Sequence, residues 1–496
     1  MLNLLAFNRV KHWNVAVLVL ILSWFPITGP VQVITYVGPV VVAGLALLLG
    51  RLRASKPDLI FLTAFAALAF VRSALYQDTG LLNPALGLLT YGSILLLAVR
   101  FGEFDRTFRG FVQATAIFSV IEGIIGAAQL IRFLLTETVT GYYVAGDFVY
   151  GTLGTNPQLY AAKMLFQSLL LLYVWFQARN TLELSRRERR YILIGSGFAI
   201  GGAMLASSLA ATFIFLAVVL GWTLAGTLLN YARQQQWNLR ELIAIVVWMG
   251  VGLALLVGTH DGPQYLLRTV FHFTQTRNLT EAPGGLVDIE SQDRFNRSSR
   301  YIRKFVVLDE SIREILLDNP ANATIGIGLG RYSSRAAMML SGGYLQDHTW
   351  FPVSRSPETT HYIYRRWNPD TVILYRGSSL SMPTSSIQSV LIEFGILGSM
   401  LFFGYYASIL YRSLKQAQRL GDRAGIQKFL LVRIPVFVLA LFFMSFYEMW
   451  LEYAQLVSFI YIFMALTLSV PLTETAKDPA GVALESRQAA PASQQG

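Results

Sequence analysis

Runs of about twenty apolar residues recur along this 496-residue chain, and no other feature narrows its fold so far. A helix needs about that many to cross the hydrocarbon of a bilayer, where every backbone N–H and C=O must find its partner inside the segment. The runs lie at Trp13–Gly29, Val31–Gly50, Leu59–Tyr76, Pro84–Val99, Phe111–Leu130, Leu159–Phe176, Tyr191–Ala206, Leu209–Leu229, Leu242–Val257, Ile387–Leu410, Phe429–Phe446 and Tyr453–Val470. The expectation is an all-α polytopic membrane protein with about twelve transmembrane helices. Composition agrees, because 54% of residues are hydrophobic, 14% are charged and the mean hydropathy is +0.48. A soluble domain carries about 25% charge.

Charge orients the spans. Arg and Lys cluster at Arg9 and Lys11, Arg51 to Lys56, Arg100 to Arg109, Arg186 to Arg190, Arg233 and Arg240, and Arg412 to Lys428, always between alternate pairs of runs. Such clusters mark cytoplasmic segments, so the net charge of +11 points to membrane orientation and not to a nucleic-acid partner. The connections QDTGLLN, Thr136–Gly154 and Tyr447–Glu452 carry no Lys or Arg and read as external. Both termini are then cytoplasmic. Residues 1–258 form nine spans, 259–386 a large external loop, 387–470 three more spans, and 471–496 a disordered tail rich in Ala, Pro, Ser and Gln. The first run lacks a small-residue cleavage site and reads as an anchor.

Several chemistries are disfavoured. Cysteine is absent, which excludes disulfides and thiolate chemistry. His12, His260, His272, His348 and His361 show no i, i+4 pair, so no metal centre is expected. The stretch GIGLG from Gly326 to Gly330 looks like a nucleotide loop, but it lies in the external loop and lacks the dinucleotide spacing and the P-loop Lys-Ser/Thr pair. Gly326, Gly328 and Gly330 read instead as a turn where backbone passes close to another element. No cofactor is expected.

Upstream of the glycines, Ile302, Phe305, Leu308, Ile312, Ile315 and Leu316 recur at helical steps, and Asn319-Pro320 ends the pattern. Arg297, Arg300 and Lys304, with Arg303 beside them, form a basic stripe that can hold a diphosphate through guanidinium forks, or can be a solvated face. Glu122, Lys163, Glu393 and Arg433 fall inside spans, where a charge costs about 2.5 kcal/mol or more. Lys163 can snorkel outward, and Arg433 reads as an interfacial anchor.

Three stretches in this order carry a resemblance: GTLGTNPQLYAAKML, then SRYIRKF with ILLDNPANATIGIGLGRY, then PTSSIQSVLIEFGILGSMLFFGYY with Glu393, Gly395 and Gly398 in a Glu-x-Gly-x-x-Gly pattern. Together with the large loop, they make the chain resemble the bacterial O-antigen polymerase and O-antigen ligase superfamily, over about Gly151 to Leu410. The resemblance implies a metal-independent glycosyltransferase of the inner membrane that uses undecaprenyl-diphosphate-linked glycans, with membrane lipid, a flippase and a chain-length regulator as partners. It makes Arg300 the main diphosphate contact and Arg297, Arg303, Lys304, Arg331 and Lys163 secondary ones. Thr384 and Ser385 stand where ligases carry a His-Asn pair, and Leu209 replaces an expected Ser-Arg-Gly element, which favours a polymerase over a ligase. No carboxylate stands out as a base, and Trp350, Tyr362, Tyr364 and Trp367 can stack on sugars. A flippase or transporter and a non-catalytic assembly scaffold are the other classes left open.

Overall fold

A computed structural model describes residues 14–26, 32–50, 52–75, 82–101, 104–136, 145–154, 156–177, 184–206, 208–234, 239–259, 303–340, 356–364, 384–420 and 425–469. These are almost entirely helical. Among the described residues five helices are long and apolar enough to cross a membrane, at Phe104–Thr136, Pro157–Gln177, Ala211–Leu228, Ser386–Arg419 and Gly425–Tyr447. Ile34–Leu48, Leu242–Leu255 and Ala454–Thr467 are shorter apolar helices. The chain is thus an all-α protein with the helices of a membrane-embedded one.

In chain order the helices are α1 (Asn14–Leu22), α2 (Gln32–Leu48), α3 (Lys56–Leu75), α4 (Leu82–Thr90), α5 (Phe104–Thr136), α6 (Pro157–Gln177), α7 (Arg186–Leu205), α8 (Leu209–Gln234) and α9 (Leu239–Thr259). They continue as α10 (Arg303–Ser311), α11 (Pro320–Ile325), α12 (Arg335–Leu340), α13 (Ser386–Arg419), α14 (Gly425–Tyr447) and α15 (Ala454–Thr467). Among the described residues one sheet forms, pairing Arg53–Ala54 with Val99–Arg100, antiparallel.

Burial is concentrated on two helices. Every residue of α15 is buried, as is α6 from Leu159 to Val174, whereas α5, α7 and α9 expose Ile, Leu and Val on one side. Exposed aliphatics of that kind suit contact with lipid, and a helix apolar all round suits the middle of a bundle. The expected fourth run does not form one helix. It stops at Thr90, whose hydroxyl donates to Gly87 O at 2.7 Å, and continues through Gly92–Ala98 as a tight 3₁₀ turn against α15. Hydropathy counts apolar residues but is blind to the backbone path, and here Ser93 Oγ meets Ser458 Oγ at 2.8 Å in the interior.

The amphipathic helix also deviates. α10 is followed by a π-turn over Ile312–Leu317, which inserts an extra residue and rotates the face, so that Val307, Ser311, Ile315 and Leu316 are buried while Ile312 is only partly so. Helix α3 runs antiparallel to α13, with Phe61 stacked on Tyr405 at 4.3 Å and Phe65 on Phe394 at 4.5 Å. It links two ends of the bundle. At one, buried Asp58 binds Arg100 at 2.6 Å and Arg412 at 2.7 Å; at the other, fourteen residues and about 21 Å further along, Arg72 donates to Asn322.

Candidate functional site

The Arg72 end holds the glycine stretch. α11 starts with Asn319 as its cap, accepting the N–H of Ala321 at 3.0 Å, with Pro320 at the first position where its missing N–H costs nothing. It ends at Gly326, and Gly326, Gly328 and Gly330 all take positive φ, 72°, 107° and 79°. Directly opposite, α13 breaks at Gly395, with φ 65° and ψ −168°. The break leaves the carbonyls of Ile392 and Glu393 without helical partners. They accept instead from the N–H groups of Ile327 at 3.1 Å and Gly328 at 3.0 Å. The Glu393 carboxylate completes the seam: Oε2 accepts from Gly330 N at 2.8 Å, and Oε1 from Tyr332 N at 2.9 Å and Ser334 N at 3.1 Å. A Cβ on Gly326 would stand 2.2 Å from Glu393 O, and one on Gly395 would stand 2.4 Å from Gly326 N. The glycines therefore join backbone to backbone.

Around this seam three distant stretches converge. Arg331 is 1% exposed, its guanidinium 3.4 Å from Glu358, and its carbonyl accepts from Ser356 Oγ at 2.5 Å and Thr359 Oγ1 at 3.0 Å. Arg335 gives its N–H to Glu452 and lays its guanidinium over the Tyr453 ring, 4.8 Å from the centroid. Tyr453 receives Asn156 Nδ2 at 3.2 Å, which brings in the GTLGTNP stretch. Ser385 caps α13 by accepting from Gln388 N at 3.2 Å; Ser386 N–H donates to Glu448 O, also at 3.2 Å. Thr384 is fully buried, and its hydroxyl has no hydrogen-bond partner among the described residues. Glu452 lies in the Trp450–Glu452 turn, outside α14 and α15, and burial pushes its carboxyl up to about 8, with the Arg335 N–H opposing and the Glu393 charge adding.

Lys163 lies in a second cluster. It does not snorkel: the side chain is fully buried, and its ammonium donates to Ser23 O and to Ser23 Oγ at 2.8 Å and sits 3.8 Å from the Trp24 ring centroid. In the same cluster Glu122 accepts from Thr152 N at 2.9 Å and Thr152 Oγ1 at 2.6 Å, while Gln129 Oε1 takes the N–H groups of Tyr150 and Gly151. Lys163 therefore stands in a cluster of its own, built from α1, α5, α6 and the Gly151 loop, and makes no hydrogen bond to the arginines.

Arg297, Arg300, Trp350 and Trp367 lie outside the described residues; Arg303 and Lys304 open α10, and only their backbone is described. Tyr362 spends its hydroxyl on Glu314 at 2.8 Å. Among the described residues no three His, Cys, Asp or Glu side chains gather as a metal site. Four residues of the assembled site escape sequence reasoning. Arg72 falls inside the third apolar run and was a legible intramembrane cation. Glu452 and Tyr453 belong to the Tyr447–Glu452 connection and its edge, where two acids in a short turn between apolar runs were the available signal. Arg335 repeats Arg331 after four residues, but nothing local sets it apart from a surface arginine.

Chemically, the site offers buried guanidinium groups, backbone fixed by two carboxylates and an unengaged hydroxyl. That suits an oxyanion-rich ligand more than a redox or metal reaction. No family model, curated protein or solved structure matches the chain.

Proposed function

We propose that the protein is a glycosyltransferase of the bacterial inner membrane, joining undecaprenyl-diphosphate-linked repeat units into a polysaccharide on the periplasmic face. In this reading about twelve helices span the membrane, both termini are cytoplasmic, and the 259–386 loop is periplasmic. The observation that carries it is the convergence on Tyr453: the GTLGTNP stretch through Asn156, and the arginine loop through Arg335, with the PTSS stretch anchored alongside through Ser386 to Glu448. Asn156 and Ser386 lie in the first and third stretches on which the resemblance rests, 230 residues apart in sequence, and Arg335 follows the end of the second by three residues.

In the reaction the acceptor hydroxyl oxygen bonds to the anomeric carbon of the donor as the bond from that carbon to the diphosphate oxygen breaks, and the hydroxyl proton leaves to water. Negative charge grows on the diphosphate. Arg331 and Arg335, already desolvated, stabilise that charge without having to reorganise; Arg300, with Arg297, Arg303 and Lys304, supplies the further cations that this reading assigns to the diphosphate. Thr384 offers its hydroxyl to a sugar. Flippase and chain-length regulator are the partners this reading implies.

The test is the glycan profile of a host lacking the protein. Single repeat units in place of a ladder support the polymerase; long lipid-linked chains that never reach an acceptor mean a ligase; loss of export means a flippase. Restoring the gene with Arg300→Ala or Arg335→Ala should leave single units with normal protein in the membrane. A full ladder from both variants would mean a scaffold.

A further inference from the structure

We propose that Glu393 is a positioning residue, whose carboxylate fixes the backbone that aims Arg331 at the anionic head of the lipid-linked donor. The inference rests on the donor reading above.

The N–H groups of Gly330, Tyr332 and Ser334, every second residue, all point at this one carboxylate. The residues between them are held from elsewhere. Arg331 is gripped at its carbonyl by Ser356 and Thr359, and Ser333 Oγ meets Ser389 Oγ at 2.9 Å. Arg335 follows at once, its N–H on Glu452. A displacement of the backbone between 330 and 335 therefore breaks hydrogen bonds to buried groups. Such rigidity is what a cation needs to meet a diphosphate in one geometry, since each rotamer frozen beforehand lowers the cost of binding. Glu393 gains its precision from its own setting: the break at Gly395 lets its carbonyl, too, hold Gly328, so side chain and backbone grip the same loop.

A carboxylate has acceptors on both oxygens, whereas a glutamine has one oxygen and one NH₂. Glu393→Gln keeps the size but turns a donor toward at least one of the three N–H groups. A glutamate that only stabilises the fold would, when changed, reduce the amount of folded protein and leave the donor affinity of the folded molecules as it was. A positioning glutamate changes affinity through Arg331.

The experiment uses the full chain in nanodiscs, with undecaprenyl diphosphate as the probe and Kd as the readout, for the wild type, Glu393→Gln, Arg331→Ala and the double variant. We expect Glu393→Gln to weaken binding ~10-fold, and the double variant to bind no more weakly than Arg331→Ala alone, because the effects pass through one side chain. Losses that multiply, or a Glu393→Gln protein that binds as wild type, overturn the inference. If Glu393→Gln does not accumulate, Ser356→Ala combined with Thr359→Val releases the Arg331 carbonyl from the other side, and the same cycle with Arg331→Ala is decided by the same criterion. A wild-type protein that fails to bind the probe overturns the donor reading and this inference with it, whereas multiplying losses in a protein that binds overturn this inference alone.

Discussion

In α5, Glu122 holds a glycine-bearing loop through one residue: the N–H and the hydroxyl of Thr152. In α13, Glu393 holds another through the N–H groups of Gly330, Tyr332 and Ser334. The difference lies in the helices. α5 continues unbroken past Glu122, so its backbone is satisfied without the loop, and Tyr160 merely adds its hydroxyl to Glu122 O at 2.8 Å. α13 is broken two residues after Glu393, and the carbonyls of Ile392 and Glu393 depend on the loop for their partners. One glutamate ties a loop to a helix that stands alone; the other belongs to a helix completed by its loop. In an apolar surrounding an unsatisfied backbone group costs several kcal/mol, so the second seam should be the more sensitive.

The largest effect expected is at its glycines. Gly395→Ala places a methyl 2.4 Å from Gly326 N and 2.8 Å from Thr324 C, at a φ of 65° that disfavours any side chain, and backbone cannot step aside. The loss should exceed about 4 kcal/mol, seen as protein that fails to accumulate in membranes. Gly151→Ala, at φ 56°, meets only side chains, Glu122 Oε2 at 2.2 Å and the Tyr160 ring at 2.5 Å, and should cost about 1–3 kcal/mol. Gly151→Ala accumulating as poorly in membranes as Gly395→Ala would break the contrast.

The glutamates themselves come next. Glu122→Gln can be absorbed, because Thr152 Oγ1 can accept from the new NH₂ and turn its own hydrogen to Trp24 O, 3.1 Å away. About 1 kcal/mol is expected. Glu393→Gln faces three N–H donors that cannot reverse, so about 2–4 kcal/mol is expected. Melting temperatures of the two variants in the same detergent decide it, and a costlier Glu122→Gln would mean that the charge of Lys163, not the loop, governs the α5 cluster.

Of this architecture the hydropathy pattern alone shows a good part. The five long apolar helices fall where runs of about twenty apolar residues were read, since burial in lipid and burial in a core both select for them. The seam was only half legible. GIGLG reads as a turn from its glycines, but the partner of that turn, the Ile392–Gly395 break, lies some 65 residues on inside what reads as one uninterrupted span. A break that is repaired by distant backbone leaves hydropathy unchanged. The π-turn after α10 is invisible for a related reason: one inserted residue rotates a face without altering composition. The basic stripe stands out at Arg297–Lys304 because its spacing is local, whereas Arg335 acquires its setting from residues such as Glu452, Tyr453 and Tyr36, each more than a hundred positions away.

A smaller effect follows from pH. Glu452 is raised to about 8 in the folded protein, from an ordinary 4.5, chiefly by burial. A carboxyl with a raised folded pKa binds its proton more tightly when folded, so its contribution to stability is full below about 4.5 and is lost as pH rises through about 8. Above that, charges on Glu452 and Glu393 would face each other beside Arg335, with Tyr91 the other titratable group next to both. The melting temperature should fall by a few degrees between pH 6 and pH 9. Glu452→Gln should flatten the fall. A fall unchanged by that substitution would move its origin to another group and leave the Glu393 seam indifferent to its acidic neighbour.

The smallest effect sharpens the comparison from outside. Asp309 and Arg313 form an i, i+4 pair at 3.0 Å on the loop, with side chains 59% and 70% exposed. Pairs of this kind gain little, since water screens the charges and two long side chains lose freedom to meet, so Asp309→Asn should shift stability by less than about 0.5 kcal/mol. The same side-chain types behave differently where water is excluded: Asp58, 1% exposed, is shared by Arg100 and Arg412, and removing it would leave two guanidiniums competing for one buried space. The Asp309 variant therefore measures whether the loop is held by its surface charges or by its backbone seam. If it melts with the wild type while Glu393→Gln does not, the loop's stability resides in the N–H groups that Glu393 and the broken helix receive. If it melts as early as Glu393→Gln, charge on the loop surface sets the position of Arg331, and the two glutamates differ in name only.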